Sequence, residues 1–96
     1  MLTVNDVKKE AYQFLVTYKK VYNNKAKKQE LLKIANVSDI FIGRYCISVD
    51  VVANAIANIL EVDRNKVKTT LLNNTNPSLP AIKFNKKGLY YYLGDI

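Results

Sequence analysis

Residues 47–72 read ISVDVVANAIANILEVDRNKVKTTLL, and this stretch decides the fold. Ser48 is a good N-cap, and Val51, Val52, Ala55, Ile56, Ile59 and Leu60 follow it at the spacing of a helix with one apolar face. The stripe breaks at Glu61, Val62 and Asp63. Asp63 reads as a fresh N-cap. Val62, one residue before it, and Val67, four residues into the next helix, have the spacing of a hydrophobic staple, which sets the angle at which the chain enters the helix. The second helix, 64–73, is expected to bury Val67 and Leu71. Together these residues predict two helices joined by a three-residue turn.

Upstream, Val7, Ala11, Phe14, Leu15, Tyr18 and Tyr22 form another helical stripe, with Lys8, Lys9, Gln13 and Lys20 on the opposite side. The predicted helix is 5–22, capped by Asn5 or Asp6 and ended by Asn23 and Asn24, which tolerate turn conformations. A helix over 27–35 follows, with Leu31, Leu32, Ile34 and Ala35 as its apolar side. Between 37 and 47 the pattern is mixed: Ser38 can cap a short helical turn, and 44–47 has the β-branched and aromatic content of a strand.

Downstream, residues 73–80 (NNTNPSLP) read as a loop, because Pro77 and Pro80 lack a backbone donor and bias the preceding residue away from helix. The tail, 81–93, alternates. Ile82 and Phe84 flank Lys83, and Leu89, Tyr91 and Leu93 flank Tyr90 and Tyr92. Between them, residues 85–88 (NKKG) suit a type I turn with Gly88 at positive φ, so a hairpin is expected. Tyr91 is expected to point inward; stacking of the three tyrosines on single-stranded nucleic acid is the less favoured role for them.

Ninety-six residues suit one domain over 1–96, and 49% apolar with 24% charged residues is globular composition. Histidine is absent and Cys46 is the only cysteine, which excludes an internal disulfide, a Cys/His zinc site and any nucleophile–histidine pair. No enzyme, catalytic residue, cofactor or metal is therefore expected. Cys46 reads as a small buried apolar residue. Asp50, Glu61 and Asp63 read as helix-boundary residues rather than a carboxylate metal set. The first fifteen residues carry charges where a secretory leader needs an apolar run, and the longest uncharged stretch, 51–60, is too short to cross a bilayer. A soluble, cytoplasmic protein without membrane or small-molecule partners is the expectation.

Fifteen Lys and Arg against eight Asp and Glu give a net charge of +7, which points to a polyanionic partner. Residues 64–94 hold Arg64, Lys66, Lys68, Lys83, Lys86 and Lys87 and no acid. A second acid-free run holds Lys19, Lys20, Lys25, Lys27 and Lys28. With Val67 and Leu71 inward, helical geometry turns Asn65, Lys66, Thr69 and Asn73 outward.

The order helix, short strand, helix, tight turn, helix, basic hairpin, together with the Ser-capped first helix, the Val-Asp turn end and Val at the fourth position of the second helix, resembles the winged helix-turn-helix family. The resemblance spans about residues 28–93, with 5–22 as an added N-terminal helix. One departure is the turn, which often holds Gly in that family and here is Glu61-Val62-Asp63. The resemblance implies an α+β, mostly helical fold and double-stranded DNA binding, with helix 64–73 in the major groove and the hairpin as a wing on the backbone or minor groove. Asn65, Lys66, Thr69 and Asn73 are then candidates for base edges, and Arg64, Lys68, Lys83, Lys86 and Lys87 for phosphates. A nucleoid-associated transcriptional regulator is the expected role. A homodimer through the Phe14, Tyr18 and Tyr22 stripe of the N-terminal helix is expected with it. The competing roles are a winged-helix protein-interaction module or adaptor subunit, and a non-specific DNA-packaging protein. An exposed polar face on 64–73 favours DNA, and a broad apolar one favours a protein partner.

Overall fold

A helix begins where side chains replace its missing hydrogen bonds, and the first one begins at Thr3. The Thr3 hydroxyl accepts from the Asp6 N–H at 3.1 Å, and the Asp6 carboxylate accepts from the Thr3 N–H at 3.2 Å. This reciprocal box starts helix α1 at Val4–Val21, so Asn5 and Asp6 lie inside the helix rather than capping it. The computed structural model describes residues 3–36, 45–73, 79–86 and 88–96. The expected helical turn at Ser38, the start of the strand at Arg44, Pro77 and Lys87 lie outside the described residues.

Asn24 caps α2 (Lys25–Lys33) by accepting from the Lys27 N–H at 3.2 Å, so this helix starts and ends two residues earlier than its periodicity predicts. Leu32 and Ala35 are buried. Ile34, expected inward, is exposed, because it lies in the turn after the helix instead of on its packed face. Lys28, one turn before Leu32, takes a buried position instead. Its stem lies along the apolar surface and its ammonium sits 5.0 Å from the centre of the Tyr22 ring.

The strand expected over 44–47 is β1, Cys46–Ser48. Ser48 also caps α3 (Val49–Leu60), its hydroxyl accepting from the Asp50 N–H at 3.1 Å. Helix α3 is apolar nearly all round, and it occupies the centre of the molecule, packed against α1, α4 (Arg64–Asn73), β1 and the third strand. Val51, Val52, Ala55 and Ile56 are buried as expected. Ile59, placed by periodicity in the same stripe, is 42% exposed in the last turn of the helix.

Glu61 takes the left-handed conformation (φ 56°), and the N–H groups of Glu61 and Val62 both reach the Ala57 carbonyl. The turn is thus built without glycine, at a cost of about 1 kcal/mol. Asp63 then accepts from the Asn65 N–H at 2.9 Å, and α4 buries Val67 and Leu71.

Strands β2 (Ile82–Asn85) and β3 (Gly88–Tyr92) form the expected hairpin, with Asn85 opposite Gly88 and Gly88 at φ +123°. Strand β3 is central in an antiparallel sheet of order β1-β3-β2, and Tyr91 lies between Ile47 and Ile82. Tyr91 points inward and is buried. A short 3-10 turn, Leu93–Asp95, returns the chain to α1, where Lys19 donates to the Ile96 carbonyl at 2.6 Å. The fold is α+β, with four helices and this small sheet among the described residues.

The aromatic stripe of α1 is core. Phe14 and Tyr18 are 4% and 0% exposed, and Tyr22 stacks on Tyr45 with ring centres 4.7 Å apart. A face this buried is not available to a second copy, which removes the expected basis for pairing through that stripe. Among the described residues no helix is long and apolar enough to cross a membrane.

Candidate nucleic-acid interface

The face of α4 opposite Val67 and Leu71 carries Asn65, Lys66, Thr69 and Asn73, and all four are exposed. Helical geometry accounts for this, because burying residues four apart leaves their opposite stripe in water. Leu72 is also exposed, at 41%. Asn65 and Lys66 sit in the first turn, where the uncompensated N–H groups of a helix favour nearby negative charge. Their side chains offer amide and ammonium donors to whatever meets this face.

Arg64 and Lys68 face elsewhere. Both reach Asp50 in the first turn of α3, Arg64 at 3.2 Å and Lys68 at 2.6 Å. The Lys68 ammonium, with the Arg64 guanidinium alongside, holds the Asp50 carboxyl below the usual carboxylate range, against a smaller upward effect of burial. Segment 64–94 is therefore acid-free along the chain but not in space. Asp50 folds back onto α4, and Asp95 lies 3.7 Å from Lys83. Lys83 also sits 5.0 Å from the centre of the Tyr92 ring. These pairs are half exposed and contribute little, about 0–1 kcal/mol each, so a phosphate can compete for the same cations.

Lys86 is exposed in the hairpin turn with no acid against it among the described residues. The sheet connects the two basic regions. Ser48, which caps α3 two residues before Asp50, is opposite Tyr90, and Tyr90 is opposite Lys83 on the far strand. The α4 cations that meet Asp50 and the base of the β2–β3 hairpin thus share the end of the molecule around the start of α3. In the other basic run, Lys19 is tied to the Ile96 carbonyl and Lys28 is buried, leaving Lys20, Lys25 and Lys27 exposed.

Asp50, Glu61 and Asp63 do not gather into one site: the first is an ion-pair partner, the second a helix end and the third a cap. Burial pushes the Cys46 thiol up, with Lys83 opposing in part, which favours the neutral form. Two features escaped sequence reasoning. The role of Asp50 depends on how α4 crosses α3, and no local signal records that angle. Phe84 is 77% exposed although it shares a side of the hairpin with the buried Tyr91. Among family models, curated proteins and solved structures, none matches this chain.

Proposed function

We propose that this chain is a winged helix-turn-helix protein that binds double-stranded DNA and acts as a small transcriptional regulator. Helix α4 enters the major groove, and the β2–β3 hairpin is the wing that meets the backbone. The observation that carries this reading is the exposed polar set Asn65, Lys66, Thr69 and Asn73 on a helix fixed to α3 by a tight turn. In the groove Asn65 pairs with adenine and Lys66 with guanine or a phosphate, while Thr69 and Asn73 meet base edges further along. Lys86, and Lys87 beside it in the sequence, neutralise phosphates. Lys83 joins them once Asp95 yields. A lone exposed Leu72 does not amount to the apolar patch a protein partner would require.

A second copy would present two α4 helices to half-sites about 34 Å apart. With Phe14 and Tyr18 in the core, pairing through α1 falls to its outer face, where Val4 and Tyr12 are exposed. Sedimentation at micromolar concentration is expected to read twice the 10.9 kDa of the chain, and a mass of 10.9 kDa would rule that pairing out.

The direct test is binding at low salt to random duplex, to single strands and to a duplex selected from a pool. Duplex binding is expected, with Asn65→Ala and Lys66→Ala changing the selected sequence. Lys86→Ala should weaken all duplexes alike and lower the salt slope by about one. Absence of duplex binding at low salt would overturn the proposal. Equal, sequence-independent losses from all three variants would remove α4 as the reading helix.

A further inference from the structure

Among the described residues Phe84 is the most exposed of the large hydrophobic side chains, at 77%. It lies on the same side of the hairpin as Ile82 and the buried Tyr91, and its cross-strand partner is the half-buried Leu89. The core-facing side of the hairpin therefore runs out past the edge of the core, and its last member is a phenyl ring in water. Burying such a ring is worth about 1.5–3 kcal/mol, which this fold forgoes. Cations adjoin it along the chain: Lys86 follows it in a turn closed by Asn85 opposite Gly88, with Lys87 next in the sequence, while Lys83, one residue before it, lies on the opposite face with Tyr92 and Asp95.

A single aromatic side chain on a narrow basic tip suits a partner that is anionic at its rim and apolar in a slot just inside. The duplex minor groove has this form: it is about 6 Å wide, lined by phosphates on both sides, and floored by stacked base steps. Apolar side chains inserted there unstack one step and kink the duplex by about 20–90°. We propose that Phe84 is a wedge carried by the wing, inserted between base pairs from the minor groove so that the bound duplex is bent. The inference rests on the duplex-binding reading above and adds to it a residue and a deformation. Sequence preference then extends to the step beneath the wing, where flexible pyrimidine–purine steps kink at least cost.

The chain has no tryptophan, so Phe84→Trp introduces a single fluorophore at the tip. Three measurements on the full chain test the wedge, with circular dichroism confirming that each variant is folded. First, a duplex of about 30 base pairs labelled at both ends is expected to shorten on binding the parent protein, by the bend quoted above. Phe84→Ala should leave it straight while keeping the salt slope, and Phe84→Leu should restore most of the bend. Second, the indole of Phe84→Trp is expected to lose emission on binding duplex and to become protected from acrylamide. Third, phosphatidylserine–phosphatidylcholine vesicles should leave that emission unchanged. Bending by Phe84→Ala equal to the parent's would overturn the wedge, as would an indole open to acrylamide in the complex. An indole that responds to vesicles and not to duplex would make the tip a membrane contact. Duplex binding without bending would defeat the wedge alone, whereas absence of duplex binding would defeat the functional reading and the wedge with it.

Discussion

Asp50→Ala is expected to tighten duplex binding, on the order of tenfold at 0.1 M salt, and to steepen the salt dependence by up to about two units of slope. In the native protein the Asp50 carboxylate takes Lys68 at 2.6 Å and Arg64 at 3.2 Å, so two of the six cations in segment 64–94 share its one negative charge. Removing it leaves both cations beside the N–H groups that begin α3, an arrangement that favours a phosphate. Stability should move the other way. The carboxylate interacts favourably with the helix start, which is worth about 0.3–1 kcal/mol, and its exposed ion pairs add little. A variant that binds more tightly while melting earlier is not explained by general damage to the fold. Asp50→Ala with Lys68→Ala should return about one unit of the slope. An unchanged slope in Asp50→Ala would mean that Arg64 and Lys68 do not face DNA.

Acid should act on the same group. Because the Asp50 carboxyl is held below its ordinary value, the stability it supplies is present above the unfolded value of about 3.9 and is lost as pH falls through the lowered one. Near neutral pH the clamp is closed.

The helical half of this fold was legible because its signals are local. Ser48 and Asp63 each act within two residues, and each caps the helix that its spacing implies. The N-terminus carried an equally local signal, Thr3 three residues before Asp6. It lost to Asn5 and Asp6 because single-residue preference ranks them higher, whereas the reciprocal box satisfies two donors at once. The sheet order was not legible. Cys46 pairs with Tyr92 across most of the second half of the chain, and nothing at either residue names the other. Alternation placed Phe84 on the correct side of its strand, but it carries no information about where the core ends. For the candidate interface, exposure of Asn65, Lys66, Thr69 and Asn73 followed from two buried residues four apart. The ion pairs of Arg64 and Lys68 required the crossing of α3 and α4.

Tyr91→Phe is expected to stabilise the protein by about 1 kcal/mol at neutral pH, the low end of the cost of a buried polar group without a partner. Tyr91 is 1% exposed in the central strand, between Ile47 and Ile82, where it joins the β2–β3 hairpin to the core. Its hydroxyl has no hydrogen-bond partner among the described residues. The phenyl ring of the variant fills the same space without that unsatisfied donor. Alkaline pH should widen the difference. Burial pushes the Tyr91 phenol from 10.0 up to about 12, so the folded state resists an ionisation that the unfolded chain accepts. The corresponding stability is fully present below pH 10 and is lost as pH rises through about 12, a loss of about 2–3 kcal/mol for a shift of two units. The quantity to read is the difference between the urea midpoints of parent and variant at pH 7, 10.5 and 11.5. That difference should favour Tyr91→Phe at pH 7 and grow with pH. A variant less stable at pH 7 would show that the hydroxyl is hydrogen-bonded in solution. A difference that does not change with pH would show that Tyr91 ionises as readily folded as unfolded, and the strand that anchors the hairpin would then be open to water.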